Sequence, residues 1–124
     1  MKTQRPKNLN LLTIRFPIPA IVSILHRIAG VVLFLLIPIL LWVFHLSLQS
    51  KRGFDAVHHV VTTSWMKLFI WLCFAAFFYH LVAGIRHLLM DIQLGVELKS
   101  GRMTAMLTMV ISLLFIILAG IWLW

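Results

Sequence analysis

Two sets of polar residues recur at helical spacing inside otherwise apolar sequence. Positions i, i+3, i+4 and i+7 share one helical face, and in the first set they are Ser23, His26, Arg27 and Gly30. In the second set, positions i, i+4, i+7 and i+11 are His80, Gly84, His87 and Asp91. An ionised side chain at the centre of a bilayer costs about 2.5–3.5 kcal/mol on insertion scales. If these segments cross a membrane, both faces must therefore point towards protein or a cofactor.

The residue types on these faces suit two kinds of chemistry. A neutral imidazole is a good ligand for haem iron, and His80 lies about 15 Å along the helix from Met90, close to the bilayer midplane. Gly84, one turn further on, removes a side chain where a flat macrocycle would press against the helix. A hydroxyl and a guanidinium, as at Ser23 and Arg27, can together hold a carbonyl oxygen that gains negative charge on reduction.

Each of these residues also has a purely structural interpretation. His80 could be a packed histidine that is bonded to a neighbouring carbonyl, and Ser23 could be a hydroxyl at a helix start. Arg27 could be an interfacial anchor whose head group reaches lipid phosphate. His87 and Asp91 could form a structural i, i+4 pair near the membrane surface. The residues alone leave these alternatives open.

The composition favours a membrane protein over a soluble domain. Hydrophobic residues make up 62% of the 124 residues and charged residues 11%, and a small soluble fold cannot bury that much apolar surface. The net charge of +8 suits anionic lipid head groups. Nucleic-acid binding is disfavoured, because the basic residues sit beside apolar runs and do not line one face. Cys73 is the single cysteine, which excludes an internal disulfide.

Three apolar segments are long enough to cross a bilayer core, which takes about 20 helical residues. Only a helix satisfies its own backbone hydrogen bonds in lipid. We therefore predict an all-α integral membrane protein, one membrane domain over residues 1–124, with spans at about 20–48, 66–90 and 103–124. The third span carries a stripe of small residues typical of a helix-packing seam: Ala105, Ser112 and Ala119.

The distribution of basic residues predicts the orientation of the three spans. Eight lie in the N-terminal segment or around the second connection: Lys2, Arg5, Lys7, Arg15, Arg27, Arg86, Lys99 and Arg102. Three lie in or beside the first connection: Lys51, Arg52 and Lys67. We therefore expect a cytoplasmic N-terminus and a periplasmic C-terminus. Four tryptophans would then mark the outer interface: Trp42, Trp65, Trp122 and Trp124.

Two segments carry a resemblance to a known family. The first comprises Arg5-Pro6, Asn8-Leu9, the run from Ile14 to Ile18 and the run from Ser23 to Gly30. The second runs from Tyr79 to Asp91 and contains the pattern His-x-x-x-Gly-x-x-His-x-x-x-Asp. In these segments, and in its length and number of spans, the chain resembles the larger membrane-anchor subunit, a cytochrome b, of bacterial succinate dehydrogenase (respiratory complex II). Gln93 departs from the family pattern, which often has glycine there, and this affects the expected shape of the loop after the second span.

The resemblance implies roles for individual residues. His80 resembles the axial ligand of a b-type haem iron, whose second axial histidine comes from a smaller sister anchor subunit. His26 and Arg27 resemble the pair near the haem propionates. Residues Ser23, Ile24 and Arg27 resemble the ubiquinone-binding residues. Supporting roles are expected for Gly84, His87 and Asp91. The hypothesis that Asp91 delivers a proton to reduced quinone rests on its position near the membrane surface and not on the resemblance. None of these residues is expected to catalyse succinate oxidation itself.

The resemblance also implies a function for the whole assembly. A flavoprotein subunit oxidises succinate, and an iron–sulfur subunit passes the electrons to ubiquinone at the cytoplasmic edge of the anchor, in the bacterial inner membrane. The chain would thus be a subunit of succinate:quinone oxidoreductase that links the tricarboxylic acid cycle to respiratory electron transport. Two alternatives remain open. One is the anchor of a quinol:fumarate reductase, which runs the reverse reaction, and the other is a haem-free structural anchor or small transporter subunit.

Overall fold

The structure is a computed structural model that describes residues 16–124. Every regular element in this range is an α-helix, and four follow in chain order: α1 (Ile18–Gln49), α2 (Lys51–Val61), α3 (Ser64–Asp91) and α4 (Leu98–Leu123). Four of the basic residues used to predict orientation lie outside the described residues, as does the part of the family resemblance before residue 16: Lys2, Arg5, Lys7 and Arg15.

The helices α1, α3 and α4 are long and apolar enough to cross a membrane, which confirms the prediction of three spanning helices. Each helix begins before the predicted span, and α4 ends one residue before the predicted end. Pro17 precedes α1 and Pro19 lies in its first turn, where proline loses no intrahelical hydrogen bond. The helix then continues through Pro38.

The short helix α2 is not predicted by the apolar segments, because its 11 residues cannot cross a bilayer. It starts at Ser50, whose side chain accepts a hydrogen bond of 3.0 Å from the Gly53 amide, as an N-cap residue does. Val57 and Val61 are half-buried on one face, while Asp55 on the opposite side is exposed. An amphipathic helix therefore joins α1 to α3.

The three long helices meet around a small core. Val22 of α1, Ala83 of α3 and Ala105 of α4 are each 0% exposed and form one cluster, against which Tyr79 packs. In a membrane, small side chains let helix backbones approach closely and gain van der Waals contact. This cluster fixes where the first set of polar residues, on α1, meets the second set, on α3.

The predicted packing seam of α4 is present in the structure. Ala105 and Ser112 are buried, and Ala119 is half-buried further along the same helix. Thr108 is buried between Ala105 and Ser112, and the buried Gly101 extends the seam towards the start of α4. The small-residue stripe therefore marks the face of α4 that packs inside the bundle.

A tryptophan inside the bundle joins α3 to α4. The indole Nε1 of Trp71 donates a 2.9 Å hydrogen bond to the Ile116 carbonyl, and the ring lies against Gly120. The tryptophans predicted to lie at the outer interface are exposed, as such a position requires: Trp42, Trp65, Trp122 and Trp124. Trp71 therefore serves a different purpose from the other four.

The loop after α3 makes a left-handed turn at the residue that departs from the family pattern. Gln93 has φ 66° and Gly95 has φ 75°, a region that residues other than glycine rarely adopt. Gln93 therefore adopts a left-handed conformation that glycine would adopt without strain.

Candidate functional site

Three imidazole rings meet between α1 and α3. The rings of His26 and His80 stack with their centroids 4.2 Å apart and an interplanar angle of 14°. The ring of His87 lies 4.9 Å from that of His26 and is tilted by 47°. The two sets of polar residues predicted from spacing therefore face each other, and these three histidines form the histidine cluster.

Two glycines make room for these rings. A Cβ atom on Gly30 of α1 would lie 2.9 Å from Cε1 of His80, closer than real Cβ atoms approach. A Cβ atom on Gly84 of α3 would lie 3.4 Å from Nε2 of His26. Each glycine therefore faces a histidine of the opposite helix. The space above Gly84, expected from the sequence to face a macrocycle, holds the His26 ring.

A hydrogen bond fixes the tautomer of His80. Its Nδ1 donates to the main-chain carbonyl of His26 over 3.1 Å. A carbonyl can only accept, so Nδ1 carries the proton and Nε2 keeps its lone pair. Metal-binding histidines usually donate their second ring N–H to a carbonyl or carboxylate in this way, which orients the ring. The same bond also fits the structural interpretation of a packed histidine.

His26 presents an unused polar atom at the same place. Its Nε2 is buried and has no hydrogen-bond partner within residues 16–124. A buried polar atom without a partner costs about 1–3 kcal/mol, so the cluster is incomplete without a further polar group. A propionate carboxylate of a bound haem is such a group, which makes the site compatible with the role that the resemblance gives His26.

The predicted quinone residues lie on α1 next to the histidine cluster and reach the protein surface. Ser23 is half-buried, whereas Ile24 and Arg27 are exposed. The charges of Arg27 and Asp91 both act electrostatically on His87, so all three lie at the same end of the bundle. A ligand or another subunit could therefore contact this surface directly.

A buried arginine is the main site residue that spacing does not identify. Arg86 is only 5% exposed; its Nε donates to Thr104 Oγ1 and its Nη2 donates to the Gly101 carbonyl, each over 3.2 Å. The sequence places Arg86 among the basic residues expected on the cytoplasmic side. In the structure its two hydrogen bonds join α3 to α4. Its spacing of three residues from the small residue Ala83 is a signal that it faces α4.

Tyr79 is a second contact that the spacing does not predict. Its hydroxyl donates a 3.1 Å hydrogen bond to the Val22 carbonyl of α1. The residue precedes His80 in the second segment that carries the resemblance, but the sequence alone gives it no role. The structure therefore ties α3 to α1 through two consecutive residues, Tyr79 and His80.

The donor set matches an iron porphyrin better than a bare metal ion. Within residues 16–124, no three His, Cys, Asp or Glu side chains are arranged to hold a metal ion. Haem needs only axial ligands from protein, because the porphyrin supplies the other four nitrogens. One imidazole nitrogen from this chain would therefore be a sufficient contribution to such a site.

A separate cavity of about 700 Å³ lies between α1, α2 and α3. Its lining is almost entirely apolar and includes Leu36, Val57 and Phe77. It offers no imidazole, guanidinium or hydroxyl group that could bind iron or a quinone carbonyl. The polar chemistry of the molecule is therefore concentrated in the histidine cluster and on the adjacent surface of α1.

These features define a class: a three-span membrane subunit with paired histidines between its first and second spanning helices. A family profile described as "Succinate dehydrogenase/Fumarate reductase transmembrane subunit" matches residues 1–119. The chain belongs to this family, which confirms the resemblance seen in the two sequence segments and the multi-pass inner-membrane localisation.

Individual relatives support the same conclusion. The chain is 41% identical to the "Succinate dehydrogenase cytochrome b556 subunit" of Coxiella burnetii over 100% of both proteins. It is 37% identical to the protein of the same description from Rickettsia bellii, over 93% of this chain and 90% of the relative. It is 30% identical to the "Succinate dehydrogenase cytochrome b560 subunit" of Reclinomonas americana, over 98% of this chain and 88% of the relative. These homologues are subunits of an enzyme complex.

Proposed function

We propose that this chain is a haem b- and ubiquinone-binding anchor of succinate dehydrogenase that passes electrons from an iron–sulfur subunit to ubiquinone. The observation that carries the proposal is the hydrogen bond from His80 Nδ1 to the His26 carbonyl. Because Nδ1 of the His80 imidazole is used in that bond, Nε2 is the nitrogen of this ring that remains able to coordinate iron. The cytochrome b descriptions of the relatives support the same cofactor.

The histidine cluster would hold the haem. His80 would bind the iron through Nε2, with the second protein ligand coming from the smaller sister anchor subunit. His26, whose buried Nε2 has no partner within residues 16–124, and Arg27 would hold the propionates. A bound b-type haem supplies a one-electron carrier at this position. The chain's own contribution is to fix the imidazole orientation and to surround the site with apolar helices.

The adjacent surface of α1 would bind the quinone. The Ser23 hydroxyl and the Arg27 guanidinium donate hydrogen bonds to a quinone carbonyl oxygen, and Ile24 packs against the ring. As the oxygen gains negative charge on reduction, charge-assisted bonds to it strengthen. Because Ile24 and Arg27 are exposed, side chains from the iron–sulfur subunit and the sister anchor complete the site.

The remaining predicted residues fit around these two ligands. Gly84 admits the His26 ring, and His87 packs against it. Asp91 is exposed at the end of α3, where a carboxylate can deliver a proton to the reduced quinone. In this arrangement the N-terminus is cytoplasmic, the C-terminus is periplasmic, and a flavoprotein subunit oxidises succinate on the cytoplasmic side.

A quinol:fumarate reductase anchor is the second candidate, because the family description names both enzymes. The relatives described by function are succinate dehydrogenase subunits, which favours the direction proposed here. A haem-free anchor would use His80 only for packing against His26. The haem-free anchor differs from the other two candidates in that its assembled complex would carry no b-type haem.

The test is a reduced-minus-oxidised spectrum of the purified complex carrying His80→Leu. We expect the b-type bands of the wild type to be lost, because leucine has no nitrogen with which to replace the proposed iron ligand Nε2. The matched control is His45→Leu, since His45 is an exposed histidine of α1 bonded to Gln49 and should leave the bands unchanged. A colourless assembled wild-type complex, or unchanged bands in His80→Leu, would contradict the proposal.

A further inference from the structure

Two consecutive residues of α3 donate hydrogen bonds to two carbonyls of α1. Tyr79 donates to the Val22 carbonyl and His80 Nδ1 donates to the His26 carbonyl, each over 3.1 Å. Val22 and His26 are four residues apart, so the two acceptors lie one helical turn apart on the same face of α1. The helix is therefore held at two points along the turn that also carries Ser23.

The hydrogen bond from Tyr79 is accepted by the peptide group that directly precedes Ser23, a residue of the predicted quinone site. The carbonyl it holds belongs to the peptide bond between Val22 and Ser23. The Tyr79 ring also packs on the core cluster of Val22, Ala83 and Ala105, all 0% exposed. The hydroxyl thus bonds to α1 beside the buried cluster that three helices share, and the small side chains of this cluster cannot absorb movements of α1 by changing rotamer.

One attachment point would not fix α1. With the His80 bond alone, the helix could rotate or tilt about the His26 carbonyl, since hydrogen bonds accept a broad range of angles at carbonyl oxygen. A second bond one turn away removes this freedom. It also links the orientation of the His80 ring to the position of Ser23 and Arg27.

We propose that Tyr79 is a positioning residue that holds the quinone-binding turn of α1 at a fixed rotation and height relative to the helix that carries His80. The inference rests on the proposed function, because it concerns the distance and orientation between the two ligand sites. Tyr79 itself touches neither ligand. Its effect is to keep the Ser23 hydroxyl and the Arg27 guanidinium directed at the same place throughout turnover.

The test compares the complex carrying Tyr79→Phe with the complex carrying Trp71→Phe. Both variants keep an aromatic ring and remove one bond from α3 to a carbonyl of a neighbouring helix, but Trp71 bonds to Ile116 of α4, away from the histidine cluster. For Tyr79→Phe we expect the ubiquinone KM to rise about threefold, the factor that an interhelical hydrogen bond in a membrane is typically worth. Succinate oxidation by artificial dyes should stay unchanged.

A readout independent of activity is hydrogen exchange of the α1 amides over residues 18–30, measured by mass spectrometry on the intact complex. These amides should exchange faster in Tyr79→Phe than in the wild type or in Trp71→Phe. Equal exchange in the two variants, or an equal rise of the ubiquinone KM in both, would overturn the positioning role. So would an unchanged KM in Tyr79→Phe.

Arg27→Leu separates this inference from the function on which it rests. If Arg27→Leu impairs quinone reduction while Tyr79→Phe behaves like Trp71→Phe, the positioning role alone fails. If Arg27→Leu leaves the ubiquinone KM and turnover at wild-type values, the quinone site itself is misplaced and both proposals fail.

Discussion

Replacing Gly30 with alanine should disturb the site through a single methyl group. The added Cβ would lie 2.9 Å from Cε1 and 3.4 Å from Nδ1 of His80. Carbon atoms in good contact are about 3.5–4.0 Å apart, so the imidazole must move by roughly 0.5–1 Å. The displaced ring loses alignment with the His26 carbonyl, and the hydrogen bond to that carbonyl is the one proposed to orient Nε2 for iron.

The cost of this change can be bounded from the geometry. Forcing an extra methyl group into a packed site costs about 1–3 kcal/mol. Because about 1.4 kcal/mol corresponds to a tenfold change, haem affinity should fall roughly 5- to 140-fold. Gly84→Ala is the matched control, since its Cβ would lie 3.4 Å from His26 Nε2, within ordinary contact. Both substitutions raise helix propensity by about 1 kcal/mol, and this gain cancels in the comparison.

The assay is the haem content of the purified complex, measured as the pyridine haemochromogen and normalised to protein, during washing with a haem-binding competitor. Gly30→Ala should lose haem at competitor concentrations that leave the wild type and Gly84→Ala intact. Dye-linked succinate oxidation in the same preparations reports whether the complex is assembled. Equal haem retention in the two variants, or a larger loss in Gly84→Ala, would refute the packing argument.

Two further substitutions test the surface of α1. Arg27→Leu should strongly impair quinone reduction, because it removes the charged donor proposed to bind the quinone oxygen. Dye-linked succinate oxidation should be largely spared, because the partner subunits are unchanged. Equal loss of both activities would indicate failed assembly instead. Ser23→Ala should give a milder defect, a rise in the ubiquinone KM of roughly 2- to 10-fold for one neutral hydrogen bond. Wild-type quinone kinetics in Ser23→Ala would remove its hydroxyl as a ligand.

The spanning helices were predictable because bilayer thickness dictates their length and hydrocarbon dictates their composition. Neither constraint applies to the helix α2, because it is too short to cross the bilayer. Its apolar residues Val57 and Val61 lie four apart among basic and polar residues. In so short a segment, this spacing alone does not distinguish a helix from a loop. The spacing together with an N-cap residue at Ser50 is the signal that would have indicated the helix.

The candidate site was predictable within each helix but not between helices. Spacing places His80 and Gly84 on one face of α3, yet it cannot say which side chain of α1 meets that face. The stacking of His26 on His80, and the insertion of the His26 ring over Gly84, depend on the relative height of α1 and α3. The packing of Val22 with Ala83 contributes to that height and carries no chemical signature in the sequence.

The burial of Arg86 has an electrostatic consequence for whatever is reduced at this end of the bundle. Its two hydrogen bonds go to a hydroxyl and a carbonyl, which are neutral acceptors, so these bonds leave its positive charge intact. In the low-dielectric interior that charge acts over a longer range than it would in water. A fixed positive charge stabilises an electron added nearby, so Arg86 would bias the electron acceptor proposed beside the histidine cluster towards its reduced form.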